Sequence, residues 1–351
     1  MVTADDNCNK VVGQFVSIEG QVETQAANSN TWNVASLDSR LCEGDSIKVA
    51  SNSRAAVSLI NEAVLRIDQS TTIKLINITG KENERSFLEM VQGVFQSFSR
   101  KPRFLTINTP YLNGSVEGTE FLVRVSESEA QISVFEGIVN ASNTHGEVPI
   151  YSGESVTGKP NQAPSKSITV DPTDQVKWAL YYPPILSISD LEVSDVLKPV
   201  VSCLEENDTS CALSTLDNIS TQNRDASYWL LTATTLLSIG RVNEAVRAVN
   251  EAITQDSNLG TAHALQAIIY LVFNDRERAM EHSTRSVELS PDSPAPRLAH
   301  SYVLQSQFRL DAAIVEIDVA IEKNPQSALA WSRLAELYLS VGRRSDAIAA
   351  G

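Results

Sequence analysis

Four alanines, Ala245, Ala279, Ala313 and Ala347, stand 34 residues apart toward the end of the chain. A fixed period of that length means one supersecondary unit used repeatedly, and this constrains the fold more than any other feature. The residues just before them, Glu244, Arg278, Ala312 and Asp346, suit the opening of a helix. Setting the alanines at position 20 of the unit places the unit starts at Ala226, Gly260, Pro294 and Ala328. Position 8, which must be small if two helices are to touch, then holds Ala233, Ala267, Ser301 and Ala335. Position 11 holds Leu236, Tyr270, Leu304 and Tyr338, and Trp229 and Trp331 share position 4. Gly240 and Gly342 fall at the turn position 15, and Pro291 and Pro325 at position 32, where proline stops a second helix.

This pattern resembles the tetratricopeptide repeat family over residues 226–351. The resemblance implies helix–turn–helix units stacked into an α-helical solenoid. Gln266 and His300 occupy position 7, where the family usually has leucine, so looser packing is expected there. His300 reads as a packed histidine rather than a ligand. Upstream, 191–204 and 211–219 look like a degenerate helical pair, with Cys211 one period before Ala245. A bridge between Cys203 and Cys211 would clip that pair into an N-terminal cap. Residues 343–351 only open the second helix of the fourth unit, so a longer protein is expected.

Before residue 184 the chain has a different character. Segments 11–23, 45–49, 55–60, 63–67 and 72–76 are short and rich in Val, Ile and Leu, with turn residues between them. Alternation is clear in 121–125 and 130–135, as in half-buried strands. Gly20, Gly44, Gly93, Gly118, Gly137 and Gly153 read as turns or bulges, and none begins a phosphate loop. The run Trp178-Ala-Leu-Tyr-Tyr-Pro-Pro184 reads as a hydrophobic plug joining two domains, not as a ligand cage. The expected organisation is a β domain with its linker over 1–183, the degenerate pair over 184–225, and repeats over 226–351.

Lys and Arg number 28 against 43 Asp and Glu, a formal net charge of −15. That balance argues against nucleic acid and against an anionic membrane surface, and no stretch is apolar enough to cross a membrane. The polar start has no signal peptide, which fits either a cytosolic chain or a secreted one whose signal was removed. The cysteines form two sets, Cys8 with Cys42 and Cys203 with Cys211, without C-x-x-C spacing. His145, His263, His282 and His300 are not grouped with them, so no metal site is expected. Two disulfides and four buried thiols are both open on this count.

Six stretches of the first part, with Trp32, carry a second resemblance. Val16-Ser-Ile-Glu-Gly-Gln-Val22, Trp32 and Leu41-Cys-Glu-Gly-Asp-Ser-Ile-Lys-Val49 resemble the opening of a FecR-type domain. Thr106-Ile-Asn-Thr-Pro110 with Val116-Glu-Gly-Thr-Glu-Phe-Leu-Val123 resembles its second hallmark. Val134-Phe-Glu-Gly-Ile-Val139 and Tyr151-Ser-Gly-Glu-Ser-Val156 are similar to its closing strands, so the likeness runs over about 11–160. It implies an all-β extracytoplasmic domain, a solenoid-like or sandwich-like stack of short strands. The best-known members relay a signal from an outer-membrane receptor to a sigma factor, but here helical repeats follow instead. The arrangement resembles periplasmic FecR–tetratricopeptide proteins of bacteria. A periplasmic location is oxidising, which implies the bridges Cys8–Cys42 and Cys203–Cys211.

No G-x-S-x-G elbow, H-E-x-x-H or Ser-x-x-Lys occurs, and no enzyme activity or cofactor is expected. The pairs Glu82/Glu84, Glu127/Glu129 and Glu205/Glu206 read as solvated charges, and Arg100-Lys101-Pro102-Arg103 as an exposed edge or turn. Function is expected to be binding. In the tetratricopeptide family, positions 2, 5, 9 and 12 of each first helix line the concave face. In the first two repeats these are Ser227, Leu230, Thr234, Leu237, Thr261, Ala264, Ile268 and Leu271. In the last two they are Ala295, Leu298, Tyr302, Gln305, Leu329, Ser332, Glu336 and Leu339. None is Lys or Arg, which excludes a clamp for a terminal carboxylate. Such a groove suits an apolar helix or an extended segment, from another protein or from a C-terminal part of the same polypeptide. A periplasmic scaffold is therefore expected, with a sensor whose β domain binds a cell-wall glycan as the alternative.

Overall fold

The computed structural model describes residues 8, 10–37, 39–81, 84–168, 177–179, 182–187 and 193–351. The chain divides into two compact units, Met1–Ala179 and Leu180–Gly351. Glu82, Leu180, Tyr181, the Trp178 side chain and the start of the expected helix at 191–192 lie outside the described residues.

The first unit is one antiparallel sheet of fourteen described strands. Its first eight are β1 (Val11–Glu19), β2 (Val22–Gln25), β3 (Asn33–Val34), β4 (Arg40–Cys42), β5 (Ser46–Val49), β6 (Arg54–Leu59), β7 (Val64–Ile67) and β8 (Thr71–Asn77). The rest are β9 (Ser86–Asn108), β10 (Asn113–Val125), β11 (Ala130–Asn143), β12 (Gly146–Tyr151), β13 (Glu154–Gly158) and β14 (Ser165–Ile168). The expected strand over 11–23 is two strands, parted by Gly20 at φ 75°.

A single strand organises the sheet. One edge of β9 pairs with β10, while the other pairs first with β8 and then with β7. Two arms grow from that edge, β8-β5-β2-β3 and β7-β6-β1-β4. They bury one core, which includes Phe15, Ile47, Val57, Ile73 and Phe95. The switch between arms falls at Gly93, whose φ is 102°. A Cβ there would lie 2.2 Å from Thr71 Oγ1, so only glycine lets the strand pass.

The expectation of short strands fails in the middle of this unit. β9, β10 and β11 run for 23, 13 and 14 residues. Arg100, Lys101 and Pro102 are exposed as expected, but Arg100-Lys101-Pro102-Arg103 is not a turn. It lies inside β9 at a bulge, because Phe98 pairs with Glu120 and Arg103 with Gly118. Arg103 is held by Glu62 at 2.7 Å.

The second unit is a helical solenoid. It opens with α1 (Lys198–Glu205) and α2 (Thr209–Asp217). Four pairs follow: α3 (Ala226–Ser238) with α4 (Val242–Gln255), and α5 (Gly260–Val272) with α6 (Arg276–Leu289). Then come α7 (Pro294–Ser306) with α8 (Leu310–Lys323), and α9 (Ala328–Ser340) with α10 (Arg344–Ala350). The periodic alanines Ala245, Ala279 and Ala313 are wholly buried and Ala347 nearly so, as helix contact at those positions requires. Asp225 caps α3 and Ser327 caps α9, each accepting from a backbone N–H of the first turn. Both disulfides are formed, Cys8–Cys42 and Cys203–Cys211, each with a Cα–Cα distance of 5.6 Å. No described helix is long and apolar enough to cross a membrane.

Position 15 of every repeat turns in the left-handed region. Gly240 and Gly342 take φ 77° and 78°, and Asn274 takes φ 60°. The third repeat puts Phe308 there, at φ 60° and 87% exposed. Its ring buries little, and its Cβ is strained by that backbone. Phe308→Gly is therefore expected to stabilise the helical unit by about 1 kcal/mol, read as a higher denaturant midpoint at unchanged slope.

Candidate functional site

First helices of successive repeats pack on one another, α5 on α7 and α7 on α9. The candidate groove residues project from these helices, but they do not share one environment. Leu230 and Leu237 are each 4% exposed, and Ile268 and Leu298 are buried in the same core. Thr234 is half-buried, and its hydroxyl donates to the Leu230 carbonyl at 2.9 Å. Leu271, Tyr302 and Gln305 are half-buried, Glu336 is exposed, and Leu339 is 58% exposed. The groove is thus closed around Leu230, Leu237, Ile268 and Leu298 and accessible at Leu271, Tyr302, Gln305, Glu336 and Leu339.

The closure comes from the chain itself. Tyr182 and Ile185 join the same hydrophobic cluster as Leu230, Leu237 and Ile268. They leave a cavity of about 90 Å³, lined on the helical side by Thr234, Leu237, Ser238, Leu265 and Ile268. This segment precedes the repeats and is distinct from the expected partner, another protein or a C-terminal part of the same polypeptide.

Residues of the open half are organised by Arg333, a side chain missing from the expected lining. Arg333 stands at position 6 of its repeat and is 2% exposed. Its guanidinium carbon lies 3.6 Å from the centre of the Tyr302 ring, a cation–π contact. Nε donates to Ser301 Oγ at 3.0 Å, Nη1 to Glu336 Oε2 at 3.0 Å, and Nη2 to Gln305 Oε1 at 2.8 Å. Nη2 also reaches the Ser301 carbonyl at 3.3 Å. Tyr302, Gln305 and Glu336 are therefore gathered around one buried charge. The reading of the groove as free of Lys and Arg holds at the surface and fails one layer below. A signal was present in Ser301, the one position-8 residue that is not alanine and brings a hydroxyl.

Gln266 at position 7 donates to Asn250 Oδ1 at 2.9 Å, and His300 Nδ1 lies 3.0 Å from Ser283 Oγ. Polar contacts replace the usual leucine packing at both places. His263 and His282 meet through their Nδ1 atoms at 3.0 Å. No group of three or more His, Cys, Asp or Glu able to hold a metal occurs among the described residues. Burial holds the His282 and His300 imidazoles below the ordinary histidine value. Glu84 is exposed and paired with Lys81 at 2.6 Å, and Glu127, Glu205 and Glu206 are exposed. A more perturbed carboxyl is Asp68, which burial pushes up to about 6 against the pull of Arg124 and Arg54. Nothing in the local sequence marked it, because its burial comes from strands distant along the chain.

Residues 45–140 match the family model described as FecR protein. That segment covers the second hallmark and most of the strands around it, while 11–44 and 141–160 lie outside the match. No curated protein matches the chain. A tetratricopeptide repeat protein of Thermus thermophilus is 20% identical over 44% of this chain and 86% of its own, with a TM-score of 0.41. The protein MamA is 16% identical over 46% of this chain and 92% of its own, with a TM-score of 0.33. A candidate anti-sigma factor of Parabacteroides distasonis is 17% identical over 41% of this chain and 69% of its own, with a TM-score of 0.34.

Two outcomes are expected from this geometry. Arg333→Ala leaves the acceptors on Ser301, Gln305 and Glu336 without their common donor, and is expected to destabilise the helical unit by about 2–3 kcal/mol. Chemical denaturation followed by circular dichroism reads that loss. The pH responses of the two units should have opposite signs. His282 and His300 bind fewer protons folded than unfolded, so their contribution is complete above about pH 6.5 and is lost as pH falls through it. Asp68 binds a proton more readily when folded, so the β unit gains stability as pH falls from about 6 towards 4. Calorimetry between pH 7 and 4.5 should show the helical transition moving down and the β transition moving up. His282→Asn and Asp68→Asn are expected to flatten the respective slopes.

Proposed function

We propose that this chain is a non-catalytic adaptor of the bacterial cell envelope that holds a protein partner on its helical repeats. Its β unit, matched to FecR over 45–140, serves as the sensing or anchoring module. The observation that carries the reading is the open half of the groove. There Tyr302, Gln305 and Glu336 are held by Arg333 on rigid helices, beside the exposed apolar Leu339. Preorganised aromatic and amide groups next to accessible hydrocarbon suit an apolar helix or an extended peptide segment. The two disulfides support a periplasmic location, since such bridges persist in oxidising compartments.

Capture from a periplasmic extract tests the adaptor. Leu271→Glu with Leu339→Glu places two charges on the groove without opening the core, unlike a charge at the buried Leu237. The intact chain is expected to retain a specific protein, and the double variant to lose at least nine-tenths of it. Equal capture by the two would remove the groove from the account.

A further inference from the structure

The closed half of the groove holds a segment whose chemistry matches its walls. Tyr182 and Pro183 are buried, Pro184 is exposed, and Ile185 is 2% exposed, so the segment anchors on both sides of one solvent-facing residue. No helix or strand forms over 182–187. The wall offered by Leu237, Leu265 and Ile268 is hydrocarbon. Its two hydroxyls already donate within their own helix, Thr234 to the Leu230 carbonyl and Ser238 to the Thr235 carbonyl at 2.8 Å. A hydroxyl that donates can still accept, so the wall offers acceptors only at Thr234 and Ser238, and a peptide N–H pressed on its hydrocarbon would lose its water without gaining a partner. Pro183 and Pro184 have no N–H, and their rings hold the chain extended at little entropic cost.

We infer that the first two repeats form a docking site for an extended aromatic-Pro-Pro-aliphatic peptide, and that Tyr182–Leu186 occupies it in cis as a competitor. This deepens the adaptor reading and rests on it for the existence of an outside ligand. A partly open cleft of about 90 Å³ remains between the segment and the helices. A tethered segment acts at an effective concentration on the order of millimolar. An outside peptide therefore meets a mostly filled site in the intact chain.

Fluorescence anisotropy of a labelled, end-capped Tyr-Pro-Pro-Ile-Leu-Ser peptide tests this on the full chain. Tyr182→Ser with Ile185→Ser removes both anchors of the cis segment. That variant is expected to bind the peptide at least tenfold more tightly than the intact chain, and a peptide with both prolines replaced by alanine is expected to lose the gain. A folded variant with less than a threefold gain would overturn the inference, as would equal binding of the alanine peptide. A second measurement needs no variant. Millimolar peptide added to the intact chain is expected to speed hydrogen exchange at the Ile185 and Leu186 amides, and unchanged exchange there would also overturn it. Partner capture through Leu271 and Leu339 reads the adaptor separately. A peptide gain without capture removes the adaptor reading alone, and capture without a peptide gain removes the cis competitor alone.

Discussion

The contact of small residues between paired helices governs the helical unit. Ala233, Ala267 and Ser301 are wholly buried at position 8, as are Ala245, Ala279 and Ala313 at position 20. Packed helix axes lie about 8–10 Å apart depending on the side chains at the contact, and residues this small allow the near end of that range. Because the contact recurs at one spacing, every pair repeats nearly the same geometry, and first helices follow one another along a common face. The groove, the place of Arg333 and the seat of Tyr182–Leu186 all depend on that face existing.

That dependence explains what could be read from the residues. A steric demand on single positions leaves a periodic mark, so the helix starts at Ala226, Gly260, Pro294 and Ala328 were legible in the sequence. The long β9 was not. A strand announces itself by local alternation, and the pattern of 86–108 is interrupted at the bulge by Arg100, Lys101 and Pro102. Those residues carry the composition of a turn and have no partner on β10; the flanking pairs, Phe98 with Glu120 and Arg103 with Gly118, keep the strand running through the bulge. Groove accessibility was equally hidden. Position within a repeat sets the direction in which Leu237 and Ile268 face, but what covers them is a segment more than forty residues earlier.

Ser301 shows how one hydroxyl changes a neighbourhood. With alanine at position 8, Arg333 would keep the backbone carbonyl, Gln305 and Glu336 but leave Nε without an acceptor, at a cost of about 1–3 kcal/mol. Ser301 supplies both its Oγ and its carbonyl, Gln305 supplies an amide oxygen, and Tyr302 supplies a ring face. The buried charge then becomes a device that fixes three side chains of the groove at once. Removing it would loosen Tyr302 and Gln305 even if the helices stayed in place.

The two halves of the groove therefore differ in what they can recognise. Around Leu237 and Ile268 the wall is hydrocarbon, and it measures shape and the absence of N–H donors; burial of apolar area there is non-directional. Around Tyr302 and Glu336 the wall presents oriented polar groups backed by a cation, and these set the register and direction of whatever lies across them. A ligand spanning both halves would take its affinity mainly from the first and its alignment from the second. Under the proposed competition, Tyr182–Leu186 would remove much of the affinity while leaving the alignment groups in place, so that the face stays selective but weakly binding until the cis segment is displaced.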